Sequence, residues 1–93
     1  MQESRVGPPV DGLTVVEVDG EVSIFNPATG AAVLLNAPAT DIWWLADGEH
    51  TLEEMTRLLA AAYRTSPETL AGEVTAVVDR LRREGLLPGD APS

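Results

Sequence analysis

The side chains best suited to proton transfer lie close together, around the one histidine of the chain. His50 ends an Asp-Gly-Glu-His turn, and Glu53 and Glu54 follow it, so an imidazole and a carboxylate could act as an acid–base pair. A histidine in such a turn is more often simply solvated. Carboxylates at the start of a helix are stabilised by the helix dipole without any catalytic role. We therefore expect a solvated histidine, carboxylates that only stabilise the start of the helix, and no catalytic residues.

Other groups that carry chemistry are missing from the sequence. It has no cysteine, no lysine, no glycine-rich phosphate loop and no paired metal-ligand motif. The absence of cysteine removes disulfides, thiolate nucleophiles and cysteine-based metal sites together. We therefore expect a non-catalytic protein without a metal or a cofactor, and a small enzyme acting through His50 remains only an alternative.

The charge of the chain limits its partners. Fifteen acidic residues face six basic ones, all arginine, which gives a formal net charge of −9. Such a charge repels phosphate backbones and anionic lipid headgroups, so we expect neither nucleic acid nor a membrane as a partner. No signal peptide and no apolar run approaching about 18 residues is present, which predicts a cytoplasmic protein.

The length suits one domain with one small core. Both ends are rich in Pro, Gly and polar residues and offer little to bury, so we expect residues 1–10 to be a flexible N-terminal segment and residues 88–93 a flexible tail. The folded domain then spans residues 11–87.

Three strands are expected in the first half of the chain. Residues 13–18 are rich in β-branched side chains, and residues 21–25 alternate polar with apolar ones. Asp19-Gly20 between them is the strongest short-range hairpin signal. The turn sequence of residues 26–30 then leads into a third short strand at Ala31–Leu35. The predicted sheet is a meander.

The third strand of this meander pairs only with the second, which leaves its other side as an edge. This edge carries no charge and no proline, although such residues protect exposed edges from pairing with another chain. A peptide that adds a strand would complete it. A chain terminus or a second copy would cover it equally well.

Three helices are expected after the strands. The first begins near Asn36 and ends before Gly48; Trp43 and Trp44 lie about 100° apart on it, so we expect Trp43 in the core and Trp44 semi-exposed. The second begins with a capping box of Thr51 and Glu54. Its predicted apolar stripe is Leu52, Met55, Leu58, Leu59, Ala62 and Tyr63. The third is capped by Ser66, with Pro67 at its first position and Gly85 after its end, and its predicted apolar face is Leu70, Val74, Val77, Val78 and Leu81.

Several short motifs occur in a familiar order. They are the strand–Asp-Gly–strand–Asn-Pro-x-x-Gly–strand start, Leu35-Asn36, Ile42-Trp43, Asp47-Gly48 and the closing Leu81-x-x-x-Gly85-Leu86. In this order the chain resembles the PqqD family over nearly the whole folded region. The resemblance implies an α+β, winged-helix-like fold with a three-stranded antiparallel sheet followed by three helices. It also implies a recognition element for ribosomally synthesised and modified peptides, which binds the precursor's leader peptide and not DNA.

The resemblance further implies where the leader lies: as an antiparallel strand along the third strand, in the groove beside the third helix. It does not tell which of these side chains face the groove and which face the core. The implied peptide-binding residues are Ala31, Ala32, Val33, Leu34, Leu35, Val74, Val77, Val78, Leu81 and Arg82.

The resemblance leaves the pathway open. A free-standing chain of this size is similar to the leader-binding proteins of lasso-peptide pathways, which partner a separate leader peptidase, and we favour this assignment. A chaperone for a radical-SAM peptide-modifying enzyme is the first alternative. A winged-helix DNA-binding regulator is the second, which the acidic charge of the chain argues against.

Overall fold

Four strands come first along the described chain and three helices follow, with one short strand between the first and the second helix. The computed structural model describes residues 5–89, so residues 1–4 and 90–93 of the two predicted flexible ends lie outside the described residues. The elements in chain order are β1 (Arg5–Val6), β2 (Thr14–Val18), β3 (Glu21–Asn26), β4 (Ala31–Leu35), α1 (Ala37–Leu45), β5 (His50–Thr51), α2 (Leu52–Tyr63) and α3 (Pro67–Arg83). An antiparallel sheet has the order β2-β3-β4, and β1 pairs with β5. The predicted α+β fold is confirmed.

Two tight turns set the register of the three-stranded sheet. Asp19-Gly20 has φ values of 54° and 79°, the positive pair that a type I′ turn requires. Val18 and Glu21 pair directly across it. The next turn is closed by the carbonyl of Asn26, which accepts a hydrogen bond from the N–H of Gly30 at 2.8 Å. Both predicted turns are confirmed.

Each helix begins at the cap that the sequence predicts. The side chain of Asn36 accepts from a first-turn N–H of α1 at 3.0 Å. Thr51 and Glu54 form a reciprocal capping box, with bonds of 3.1 Å and 2.9 Å. The hydroxyl of Ser66 accepts from the N–H of Thr69 at 3.2 Å. These bonds satisfy N–H groups that lack an intrahelical partner at a helix start.

The core lies between the sheet and the helices. Its largest members from the sheet are Val22, Ile24, Val33 and Leu35, and from the helices Ile42, Trp43, Met55, Leu59, Val74, Val78 and Leu81. Trp43 is only 4% exposed whereas Trp44 is 51% exposed, which confirms the predicted division between them.

The predicted stripe of α2 is partly wrong. Met55 and Leu59 are buried, but Thr56 and Ala60 join them. The Thr56 hydroxyl can enter the core because it donates to the carbonyl of Leu52 at 2.9 Å, so no donor is left unsatisfied. The residues of the predicted stripe that are exposed instead are Leu58, Ala62 and Tyr63.

The chain packs upstream of the predicted boundary at Asp11. Val6 is only 1% exposed and belongs to the core. Its carbonyl accepts from the N–H of Gly48 at 2.8 Å, and the N–H of Val10 donates to the carbonyl of Leu86 at 3.0 Å. The packed unit therefore includes Arg5–Val6, which the predicted segment 1–10 assigns to a flexible end.

Candidate functional site

The outer side of β4 is the candidate site. Within residues 5–89, β4 is the last strand of its sheet, and no other strand pairs with its outer side. Ala32 and Leu34 are exposed there, Leu34 to 66%, whereas Val33 and Leu35 are buried against the helices. The strand thus has one face in the core and one edge open to a partner.

A helix hydroxyl shows which backbone groups of β4 point inward. Val22 pairs with Leu35 in the register of β3 and β4. The N–H of Val22 donates to Oγ1 of Thr40 at 3.0 Å, and this hydroxyl donates to the carbonyl of Leu35 at 3.4 Å. Thr40 therefore bridges a donor and an acceptor that face each other, so the backbone of Leu35 points toward β3.

The orientation of one residue determines the orientation of the others. Backbone groups in an antiparallel ladder point alternately to the two sides of a strand. Because Leu35 points toward β3, Val33 and Ala31 do so too. The N–H and carbonyl groups of Ala32 and Leu34 therefore point outward, away from the sheet.

The hairpin of β2 and β3 independently shows which backbone groups of β4 point inward. In a two-residue type I′ hairpin the flanking residues exchange both hydrogen bonds, so the backbone of Glu21 points toward β2. Alternation along β3 then turns Val22 and Ile24 toward β4. Ile24 pairs with Val33, which places the inward backbone groups of β4 at Val33, as the Thr40 bridge does.

The open edge offers two donors and two acceptors in a row. An extended peptide lying antiparallel to β4 could form four ladder hydrogen bonds with Ala32 and Leu34. The other edge of the sheet, at β2, is less suited to this. Its outward residues by the same alternation are Val15 and Glu17, and a charged side chain on an edge opposes pairing.

The ten residues implied by the resemblance fall into three groups. Five have side chains in the core and can shape a site only from beneath: Val33, Leu35, Val74, Val78 and Leu81. Two point their backbone outward and expose their side chains: Ala32 and Leu34. Three are half-buried and border both core and surface: Ala31, Val77 and Arg82. The sequence analysis did not identify Thr40, whose hydroxyl orients β4. Its only signal in the sequence is that a threonine stands in the first turn of the helix that follows the strand.

The catalytic candidates are engaged in local structure. Nδ1 of His50 lies 3.0 Å from Oδ1 of Asp47 and 3.3 Å from the carbonyl of Leu45. His50 is half-buried in β5, where we predicted a solvated turn residue; its pairing with β1 accounts for the difference. The N–H of Glu49 lowers the pKa of Asp47. The backbone N–H of Thr51 likewise lowers the pKa of Glu54, the carboxylate of the capping box.

The charges of α3 do not form a basic surface. Arg80, Arg82 and Arg83 lie in its last turn, where cations are favoured by the helix dipole. Glu73 and Asp79 lie on the same helix. A DNA-reading helix would instead carry clustered cations against a basic background, which a chain of net charge −9 does not provide.

Two further properties concern the described residues. Residues 5–89 contain no group of three or more His, Asp or Glu side chains placed to hold a metal ion. No helix in this part of the chain combines the length and the apolar character that a membrane span requires.

The fold and the site define a small winged-helix-like α+β domain with an open, uncharged sheet edge. The model of the family described as coenzyme PQQ synthesis protein D (PqqD) matches residues 21–87. The chain belongs to the PqqD family. It is also similar to a solved structure described as TbiB1 in complex with the TbiA(beta) leader peptide, with a TM-score of 0.79 and 25% sequence identity over 90% of this chain and 98% of that chain. No curated protein sequence matches the chain.

Proposed function

We propose that this protein binds the leader region of a ribosomally synthesised precursor peptide by adding it as an antiparallel strand to β4. The observation that carries the proposal is the open edge, with the backbone groups of Ala32 and Leu34 directed outward. The similarity to TbiB1, whose structure holds a leader peptide, supports it. The protein acts as a binding module and has no catalytic role.

The added strand would have two unlike faces. Its side chains alternate between the two sides of the sheet, as they do in any strand. On the helix side they would meet the half-buried side chains of Val77 and Arg82 on α3. On the other side they would lie beside Leu34, which is exposed there. The core residues Val33 and Val74 would support the site from beneath.

The expected affinity follows from these contacts. Four ladder hydrogen bonds contribute about 1 kcal/mol net each, and two or three apolar side chains contribute about 2 kcal/mol each. Ordering a disordered leader opposes binding by about 2–5 kcal/mol. The balance of about 3–8 kcal/mol spans Kd values from the millimolar range to about 1 μM, and binding at the micromolar end requires well-filled pockets.

The role in a pathway rests on the proposed binding function. A bound leader has to be presented to a separate enzyme, which we assign to the leader peptidase of a lasso-peptide pathway. The encounter takes place in the cytoplasm, where the precursor is made. A precursor encoded beside a radical-SAM enzyme instead of a peptidase would assign the protein to the second type of pathway, as a peptide chaperone.

Calorimetric titration with the leader of the precursor encoded beside this protein tests the proposal. We expect micromolar binding with a negative heat-capacity change, because apolar surface is buried. A scrambled leader is the matched control. Duplex DNA at low salt is the second titrant, since tight and salt-sensitive binding to DNA would favour a regulator. Equal binding of the native and scrambled leaders would overturn the proposal.

A further inference from the structure

The helices leave part of the inner face of the sheet uncovered. α1 packs against β3 and β4, and all five residues of β2 are exposed. Val15 pairs with the buried Ile24 and shares its face of the sheet, yet it is 38% exposed. On α1, Trp44 is 51% exposed. Apolar side chains that form one contiguous exposed surface are candidates for an interaction site.

Val15 and Trp44 both line a groove of about 380 Å³, together with residues 9–13. Trp43 and Ala46 also line it, and both are buried, so they form its floor. Its volume lies at the lower end of the range of about 300–1,000 Å³ for ligand pockets. A groove of this size takes one or two bulky side chains and not a whole helix.

The potential around this groove is negative. Asp11 and Asp47 line it, and the N–H of Glu49 keeps the pKa of Asp47 low, so that its carboxylate is charged at neutral pH. The groove also lies at the C-terminal end of α1, whose C-cap is Ala46 and whose last turn holds no basic residue. The carbonyls at a helix C-terminus favour a cation. An apolar floor with a negative rim matches an apolar side chain flanked by positive charges.

We propose that this groove, the Trp44 groove, is a second interaction surface that takes a bulky apolar side chain from a basic surface of a partner protein. The groove adjoins β2, and the candidate leader edge is β4, at the opposite edge of the same sheet. Both surfaces can therefore be occupied at once. That this partner is the enzyme which acts on the leader rests on the proposed function.

Short peptides of defined chemistry test the groove without the partner. The probe is acetyl-Arg-Arg-Leu-Arg-Arg-amide, titrated into the full chain labelled with nitrogen-15 and followed by NMR. We expect saturable shifts of the Trp44 indole N–H and the Val15 amide, with a Kd below about 1 mM. The same peptide with Ser in place of Leu, and the same peptide with Glu in place of Arg, should each bind at least tenfold more weakly.

Two variants of β2 form a matched pair. Val15→Arg places a positive charge in the groove and should weaken binding of the basic probe at least tenfold. Val18→Arg makes the same substitution on the same strand, but on its other face, and should leave binding unchanged. Asp11→Asn, an isosteric change at the rim, should weaken binding of the basic probe and not of the Glu peptide, which guards against misfolding of the Val15 variant.

The outcomes separate this inference from the proposed function. Absence of saturable shifts, equal binding of the Glu peptide, or shifts at Ala32 and Leu34 instead of Trp44 would overturn the inference. Leader titrations of the same variants should give the affinity of the parent chain. If the parent binds the leader but not the probe, the Trp44 groove is excluded and leader binding stands. If the parent binds the probe but not the leader, the Trp44 groove stands and leader binding is excluded.

Discussion

The hydroxyl of Thr40 accepts a hydrogen bond from the backbone N–H of Val22 at 3.0 Å. The same hydroxyl donates to the carbonyl of Leu35, so a side chain of α1 occupies the last position of the ladder between β3 and β4. Thr40 is only 2% exposed. The helix thereby fixes the end of the strand whose outer edge we propose as the leader site.

Replacing Thr40 with valine should destabilise the protein by about 1–3 kcal/mol, because a buried donor and a buried acceptor both lose their partner. Valine has nearly the same shape, so packing changes little. Thr40→Ser keeps the hydroxyl and serves as the control. Urea unfolding of both variants measures the free energy; a valine variant as stable as the serine variant would show that the bridge contributes nothing.

Alanine substitutions at two glycines test whether the packing near the start of the chain contributes to stability. Gly7 and Gly12 have nearly equal positive φ values, 86° and 88°. A Cβ on Gly7 would overlap the carbonyl oxygen of Ala46, whereas a Cβ on Gly12 would meet open space. Both alanine variants bear the strain of positive φ, of about 1–2 kcal/mol, and only Gly7→Ala adds the overlap. We expect Gly7→Ala to be the less stable variant in urea, and equal midpoints would mean that the packing around Val6 is unimportant.

Alkaline pH should weaken the fold through Tyr63. Partial desolvation of this largely exposed phenol, and then the hydrogen bond that its O–H donates to Asp41, raise the pKa of Tyr63 to about 12. The unfolded chain loses this proton near pH 10 while the folded chain keeps it. The stabilisation is therefore complete below about pH 10 and is lost as the pH rises toward 12.

The test of this prediction has few interfering groups, since the chain has no lysine, no cysteine and no second tyrosine. The free energy of unfolding of the parent should fall more steeply above about pH 10 than that of Tyr63→Phe. Parallel curves for the two proteins would show that folding does not raise the pKa of Tyr63.

Local signals made much of the fold predictable. The Asp19-Gly20 turn and the caps at Asn36, Thr51 and Ser66 each depend on a few neighbouring residues, and each is confirmed. The short connections between the three strands were enough to predict that the outer side of β4 is a sheet edge. Which backbone groups of β4 point outward could not be predicted, because that depends on the pairing register of β3 and β4, which the sequence left open.

Contacts between distant segments were not predictable in the same way. β1 has only two residues, and its pairing with β5 depends on a partner far along the chain. The exposure of Leu58 depends on how α2 rotates against its neighbours, and Thr56 enters the core only because its hydroxyl has a local acceptor. In the candidate site, the sequence could not divide the α3 residues into core and surface: Val74 is buried and Val77 is half-buried.

Two proline substitutions on β4 should have opposite effects. Val33→Pro removes an N–H that points toward β3, and proline inside a ladder breaks it, so this variant should unfold or lose several kcal/mol of stability. Leu34→Pro removes an N–H that points outward, where proline is tolerated on an edge strand. Thermal unfolding should remain cooperative for Leu34→Pro and not for Val33→Pro, and the reverse order would contradict the assigned parity.

The affinity of Leu34→Pro for the leader tests strand addition most directly. Leu34→Ala is the control, since it removes the side chain and keeps the donor. Calorimetry should show that the proline variant, still folded, binds the leader at least tenfold more weakly than the alanine variant, a difference of about 1.4 kcal/mol. Equal affinities of the two folded variants would contradict the addition of the leader to this edge.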